Sequence, residues 1–157
     1  MNDKNSNTTN TADREIAVTR IFNAPRELLF KVWTDPKHIA HWWGPRGFTT
    51  TIETMDVRPG GVWQFIMHGP DGVDYPNKIV YIEVTKPERL VYNHGEEGQP
   101  GYFQVTVTFE DQGGQTKLSM QMLFKTAEER DQVVKKYGAV EGLKQNMDKL
   151  GEYLAKV

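Results

Sequence analysis

The sequence predicts an α+β domain in which a curved antiparallel sheet of about six or seven strands wraps around a long C-terminal helix. Two observations support this fold. Residues 49–124 consist mainly of runs that alternate apolar and polar residues, separated by short segments rich in glycine and proline. Residues 126–154 carry an apolar stripe at helical spacing. Because such a sheet needs one face covered, we expect the C-terminal helix to cover it.

Two short helices are predicted directly after the first strand. Residues 16–22 read IAVTRIF, a β-rich run that predicts this strand. Pro25 suits the first turn of a helix, because an N–H group at that position would have no partner. Asp35-Pro36 interrupts this helix and starts a second one, which Gly44-Pro45 ends. The two helices are placed to close one end of the sheet.

The middle of the chain predicts a series of hairpins. Glycine-containing turn sequences occur at 59–61, 69–72 and 111–114. Within one run, Trp63 and Phe65 share a face of the strand, since side chains alternate between faces. The strands are predicted at 49–57, 62–68, 78–84, 90–93, 103–109 and 118–124.

One continuous helix of nearly thirty residues is predicted at the C-terminus. Thr126 and Glu129 have the spacing of a capping box, which pairs the free N–H groups at a helix start. Charged residues occupy the positions outside the apolar stripe, as on an ordinary solvent-facing side. The stripe comprises Val133, Tyr137, Val140, Leu143, Met147, Leu150 and Leu154.

Length and composition indicate one domain, expected at 13–157 after a disordered tail at 1–12 that is rich in asparagine and threonine. A net charge of −2 gives no electrostatic reason to expect binding to nucleic acid or an anionic membrane. The absence of cysteine excludes disulfides, thiol catalysis and thiolate metal sites. With no secretory signal or apolar span in the sequence, we expect a cytoplasmic protein. The expected oligomeric state is a monomer or weak homodimer.

Three segments form a specific combination: FNAPRELLFKVWTDPKHIAHWWGPRGFTT, RPGGVWQFIMHGPDG and IVYIEVTKPERLVY. Together they resemble the activator-of-heat-shock-protein-ATPase family, within the START-like (SRPBCC) superfamily. The resemblance extends from about Ala17 to the end of the chain. It implies a helix-grip (START-like, Bet v 1-like) fold with a cavity between sheet and helix. Superfamily members include lipid carriers, polyketide cyclases, resistance proteins and chaperone co-activators, so no single function is implied.

The expected function is binding of a small apolar molecule, lipid-like or aromatic, in that cavity. Plain core packing is the alternative for each lining residue, since one face of any such sheet is apolar. Gly138 and Gly142 on the helix would leave room, and methionines adapt to varied shapes. The candidate lining residues are Trp42, Trp43, Trp63, Phe65, Met67, Tyr81, Tyr92, Phe103, Val105, Met120, Met122, Phe124, Tyr137, Leu143 and Met147.

Polar groups that could orient a ligand are fewer. Glu83 has the strand parity of Tyr81 and could point inward, where burial would raise the pKa of its carboxyl. Exposure at the rim or pairing with an arginine or lysine is the favoured alternative, since buried unpaired carboxylates are rare. His94 continues the inward parity of Tyr92 and could lie at the rim of the cavity. Gln121 is the third polar candidate beside the tyrosine hydroxyls.

Two further functions are open. A small enzyme of the cyclase or hydrolase type would use Glu83, His94 or a tyrosine in the cavity. A module that contacts a chaperone ATPase is disfavoured, because the chain lacks the extra amino-terminal domain of eukaryotic co-activators. No cofactor or metal is expected: His38 and His41 lie three apart, but no third ligand is suggested nearby.

Overall fold

The computed structural model describes residues 12–95 and 102–157, which form a curved antiparallel sheet and four α-helices. The α+β helix-grip fold is confirmed. Of the tail predicted at 1–12, residues 1–11 lie outside the described part of the structure. A 3₁₀ turn spans Ala12–Arg14. The strands are β1 Glu15–Phe22, β2 Thr49–Met55, β3 Val62–His68, β4 Asp74–Thr85, β5 Arg89–His94, β6 Phe103–Asp111 and β7 Thr116–Phe124. The helices are α1 Arg26–Thr34, α2 Pro36–Ile39, α3 Ala127–Tyr137 and α4 Ala139–Leu154.

The strands follow the order β1-β7-β6-β5-β4-β3-β2, so the first strand joins the last and β2 forms the opposite edge. Antiparallel register places inward-facing residues in straight rows across the sheet. One row, called here the His94 row, comprises Trp63, Ile79, His94, Phe103 and Phe124. The next, the Tyr92 row, comprises Tyr81, Tyr92, Val105, Met122 and Ile16.

The two short helices close one end of the sheet, as predicted. The Phe30 ring of α1 lies edge-on to Phe109 with centroids 5.4 Å apart, and Trp33 meets the same ring at 5.8 Å. The buried Thr116 hydroxyl donates to the Ala24 carbonyl oxygen over 2.7 Å, which ties the start of β7 to the chain before α1. Asp35 caps α2 by accepting from the Lys37 N–H. This end of the inner face is therefore sealed by aromatic packing.

The prediction of one continuous C-terminal helix is wrong at Gly138. The helix begins as expected, since the Thr126 hydroxyl accepts from the Glu129 N–H over 3.1 Å. Gly138 then adopts a left-handed conformation with φ 59° and ends α3, and its N–H donates to the Val134 carbonyl oxygen. Glycine adopts this conformation at little cost, which makes it the usual residue after a helix. The break divides the segment into two helices, α3 and α4.

The two segments then cover different parts of the sheet. Arg130 of α3 donates to the Glu15 carbonyl oxygen at the start of β1. The apolar side of α4 packs on the inner face, with Leu143, Met147 and Leu150 buried in the same core cluster as the sheet residues. Helix α4 is therefore the element that the curved sheet grips.

Candidate ligand-binding site

The two adjacent tryptophans after α2 have different surroundings. Trp42 has no exposed surface; it packs edge-on against Trp33 at 4.9 Å and donates its indole N–H to the Val32 carbonyl oxygen. Trp43 instead meets Trp63 with centroids 5.0 Å apart. Trp42 therefore anchors the short helices, whereas Trp43 belongs to the inner face.

The candidate lining residues fall into two groups by exposure. The middle of the inner face is closed by its own side chains, since Phe65 and Met147 have 0% exposed surface. The side chain of Tyr137 lies outside the described part of the structure. Three candidates are partly exposed, namely Met67, Phe103 and Met122. The remaining eleven are buried: Trp42, Trp43, Trp63, Phe65, Tyr81, Tyr92, Val105, Met120, Phe124, Leu143 and Met147.

The partly exposed residues mark the end of the inner face opposite α1. Phe103 contacts His94 at 4.8 Å and Phe124 at 4.9 Å between ring centroids. Met67 approaches the chain at Gly44 so closely that a Cβ there would lie 2.8 Å from its Cε. All three partly exposed side chains pack against the buried core cluster. We call this set of Met67, Phe103 and Met122 the open end.

His94 lies between these aromatic rings and is held neutral. Its Nε2 is 2.8 Å from the Asn77 amide oxygen, and its ring centroid is 6.1 Å from that of Phe65. Burial lowers the pKa of His94 to about 4, although the residue keeps some exposed surface. A neutral imidazole that donates from Nε2 to an oxygen leaves Nδ1 as an acceptor. His94 is thus a polar group at the inner face, the side of β5 on which the alternation with Tyr92 predicts it.

Two tyrosines lie deeper in the Tyr92 row. The Tyr81 and Tyr92 rings are 6.0 Å apart, and burial raises the pKa of both hydroxyls well above the ordinary value. The proximity of Tyr81 raises the pKa of Tyr92 further. The polar indole of Trp33 lies near the Tyr92 hydroxyl and opposes this rise, although the two groups do not meet hydrogen-bond geometry. Both phenols therefore stay protonated at neutral pH and can donate.

Of the two positions considered for Glu83, the structure shows the favoured one, pairing with an arginine, and not the inward one. A β-bulge between Tyr81 and Glu83 shifts the register, so Glu83 pairs with Val91 rather than with an inward-facing residue. The Glu83 carboxylate accepts from Thr85 and forms an ion pair with Arg89 at 3.3 Å. An inserted residue reverses the alternation of faces, and nothing in the local sequence indicates the insertion.

The placement of Gln121 in the cavity is also wrong. Gln121 alternates with Met120 and Met122, which puts it on the opposite face of β7. Its amide donates to the Glu15 carboxylate over 2.6 Å. The parity of β7 alone was sufficient to place it outside.

The glycines expected to leave room on the C-terminal helix serve other purposes. Gly138 separates α3 from α4, and a Cβ at Gly142 would lie 3.6 Å from the Pro45 ring. Gly142 therefore faces the turn after Trp43, not the sheet.

That turn is joined to α4 by hydrogen bonds, which sequence analysis missed. The buried Gly44 N–H donates to the Asn146 amide oxygen over 3.0 Å. The Lys149 ammonium donates to the Gly44 carbonyl oxygen, and burial, reinforced by nearby Arg46, lowers the pKa of Lys149. Asn146 stands one residue before Met147 in the apolar stripe of the helix. Because buried polar side chains are nearly always hydrogen-bonded, a polar residue at that position indicates a hydrogen bond to a neighbouring segment.

A concave feature lies outside the grip. A surface groove of about 510 Å³ separates β1 from α4. Ion pairs of Arg20 with Asp148 and of Arg46 with Glu152 lie along it, beside apolar side chains, so its surface is mixed polar and apolar. Its lining consists of Arg20, Ile21, Phe22, Asn23, Arg46, Met147, Asp148, Gly151, Glu152, Leu154 and Ala155.

The two histidines on and after α2 interact with a tyrosine of α4. His38 Nδ1 is 2.6 Å from the Tyr153 hydroxyl, and the His41 ring stacks on Tyr153 with centroids 5.5 Å apart. Across residues 12–95 and 102–157, no group of three metal-ligating side chains is placed to hold an ion. Within the same residues, no helix has the length and apolar character needed to cross a membrane.

The sheet, the gripped helix and the inner face together define a helix-grip (START-like) fold. The sequence matches the family described as "Activator of Hsp90 ATPase homolog 1-like protein" over residues 23–155, and the chain belongs to this family. No curated protein matches the sequence significantly.

Solved structures of the same fold come from several bacteria. A solution NMR structure from Arthrobacter aurescens is 21% identical, with a TM-score of 0.85 over 95% of this chain and 90% of that chain. A crystal structure from Rhodobacter sphaeroides is 25% identical, with a TM-score of 0.82 over 95% and 97% of the two chains. CalU16 from Micromonospora echinospora is 20% identical, with a TM-score of 0.63 over 88% and 74%.

Proposed function

We propose that the protein binds a small apolar molecule between the concave sheet and α4, and that the molecule enters at the open end. The observation that carries this proposal is the partial exposure of Met67, Phe103 and Met122, which continue directly into the buried inner face. Apolar side chains left partly exposed beside a core offer a ligand surface that water contacts unfavourably.

The closed middle of the inner face requires side chains to move when a ligand enters. Methionine is suited to this, because its unbranched chain has three rotatable bonds and adapts to irregular shapes. Met122 and Met120 both face inward on β7, and Met67 lies across the sheet on β3. Rotation of these side chains would open space without any displacement of the backbone.

The driving force is burial of apolar surface. A ligand that removes about 250 Å² of apolar area from water gains about 6 kcal/mol before entropic costs. A rigid bicyclic hydrocarbon such as indane is a suitable probe of this size. After those costs, we expect a dissociation constant in the high micromolar to millimolar range, which NMR titration measures.

Binding without chemistry is preferred over an enzyme reaction for a specific reason. Glu83, the carboxylate considered for acid–base work, is paired with Arg89 away from the inner face. His94 and the two tyrosines remain available to orient a ligand, and orientation requires no change in their protonation.

A blocking variant tests the proposal. Met122→Trp would fill the open end, and indane affinity should fall at least about tenfold, because the bulky ring occupies the entry space. Gln121→Trp is the matched control, since it adds the same ring one residue away on the opposite face of β7. Its indane affinity should stay within about twofold of the unmodified protein.

Equal loss of affinity in both variants, or binding unaffected by Met122→Trp, would contradict the proposed site. Circular dichroism checks that each variant is folded. Native mass spectrometry of freshly purified protein, followed by extraction, addresses the physiological ligand. A defined co-purifying apolar compound that competes with indane would support the proposal. A co-purifying compound that leaves indane binding unchanged would show that the compound binds elsewhere and not at the inner face.

A further inference from the structure

Two buried polar atoms of the grip have no hydrogen-bond partner among the described residues: the indole nitrogen of Trp63 and the hydroxyl oxygen of Tyr92. Trp63 is 1% and Tyr92 2% exposed. A buried polar group without a partner is costly, and native proteins rarely contain one without a reason. Their presence therefore indicates a position where another molecule supplies the missing bond.

Both atoms belong to the inner face where the ligand is proposed to bind. Trp63 stands in the His94 row on β3, and Tyr92 stands in the adjacent Tyr92 row on β5. The Trp63 ring stacks on Phe65 at 4.2 Å, and the Tyr92 ring contacts Tyr81. The unpaired atoms are thus set in aromatic walls, in neighbouring rows of one surface.

The chemistry of the two groups limits what can pair with them. An indole N–H is a donor only, so Trp63 requires an acceptor. The Tyr92 hydroxyl stays protonated, because burial raises its pKa, and it can also donate. A ligand that satisfies either group must carry an oxygen or nitrogen with a free lone pair.

The surroundings also limit the charge of that acceptor. Among residues 12–95 and 102–157, the buried polar side chains other than tyrosine and tryptophan are Thr116 and Asn146, and neither carries a charge. An anion drawn into this interior would lack a buried counter-charge, which makes its transfer from water very unfavourable. An uncharged carbonyl or ether oxygen does not meet this obstacle.

We infer that the ligand is a small, largely aromatic or alicyclic molecule bearing an uncharged carbonyl or ether oxygen, which accepts a hydrogen bond from Trp63, Tyr92 or both. This inference rests on the proposed binding function and names its ligand class. It separates such compounds from plain hydrocarbons and from fatty acids, whose carboxylates are charged.

A matched pair of probes tests the inference. Indane and 1-indanone share one bicyclic frame and differ by a carbonyl in place of a methylene. The ratio of their dissociation constants is measured by NMR titration in the unmodified protein and in the double variant Trp63→Phe/Tyr92→Phe. These substitutions remove the two donors while keeping aromatic rings at both positions.

We expect 1-indanone to bind at least as tightly as indane to the unmodified protein, although its carbonyl is better hydrated in water. In the double variant, 1-indanone should weaken about tenfold relative to indane, the loss typical of a hydrogen bond to a buried donor. The infrared carbonyl stretch of bound 1-indanone gives a second readout. It should lie at lower wavenumber in the unmodified protein than in the double variant.

The outcomes separate the two proposals. If neither probe binds the unmodified protein, the proposed function fails. If both bind, but their ratio and the carbonyl stretch are the same in the double variant, only the ligand class is wrong. If the ratio does change in the double variant, the single variants assign the effect. A ratio changed by Trp63→Phe alone makes the indole the donor, and a ratio changed by Tyr92→Phe alone makes the phenol the donor.

Discussion

The bond between the Asn146 side chain and the buried Gly44 N–H gives a quantitative prediction. Asn146→Ala leaves that N–H buried and unpaired, because no other acceptor is bonded to it. An unpaired buried N–H costs about 1–3 kcal/mol, so we expect a loss of about 2–3 kcal/mol in the free energy of unfolding. For a chain of this length, the melting temperature should fall by roughly 4–10 °C.

Gln145→Ala is the matched control. The Gln145 amide oxygen accepts from the Arg46 N–H over 3.1 Å in the same turn, but at an exposed position where water can replace it. We expect a change within about 0.5 kcal/mol. Urea unfolding with unchanged m-values measures both variants. Equal destabilisation by the two substitutions would refute the reasoning that burial makes the Asn146 bond important.

Four further predictions concern single substitutions. Gly61→Ala should destabilise the fold by about 3 kcal/mol or more in the urea assay, since a Cβ would lie 2.0 Å from the Asp56 carbonyl oxygen. Gly142→Ala should instead stabilise the fold by about 0.5–1 kcal/mol in the same assay, because alanine favours the helix more than glycine and its Cβ would lie at an ordinary 3.6 Å from the Pro45 ring. Tyr92→Phe should raise the free energy of unfolding of the ligand-free protein by about 1 kcal/mol, because it removes an unpaired buried hydroxyl; a loss of stability would mean that the hydroxyl is bonded. The low pKa of His94 means that the unfolded chain takes up a proton more readily than the folded one. Stability is therefore full above about pH 6.5 and should decline by roughly 1–3 kcal/mol toward pH 4, and urea titrations of His94→Gln should show a flatter profile over that range.

The fold was largely predictable because its signals are local and repeated. Alternation in residues 62–68 and 103–124 placed strands, and the capping box at Thr126 placed a helix start. The break at Gly138 was not predicted, since a single glycine within an apolar stripe is compatible with both a helix interior and a helix end. Tertiary packing of two helix segments decides between them.

The site was predictable only in part, and for a different reason. Parity along a strand correctly placed His94 on the inner face, and it failed at Glu83 because a bulge adds one residue to β4. Unpaired polar atoms such as the Trp63 indole nitrogen cannot be read from a sequence at all. They depend on the positions of every neighbouring side chain.

Contact between a ligand and the inner face is the central claim, and intermolecular NOEs measure it directly. Protein with labelled methyl groups in isoleucine, leucine, valine and methionine would be saturated with indane. We expect NOEs from indane to the Met122 and Met120 methyls on the inner face. NOEs confined to Ile21 and Leu154 would instead place indane in the groove between β1 and α4, which would rule out binding at the inner face.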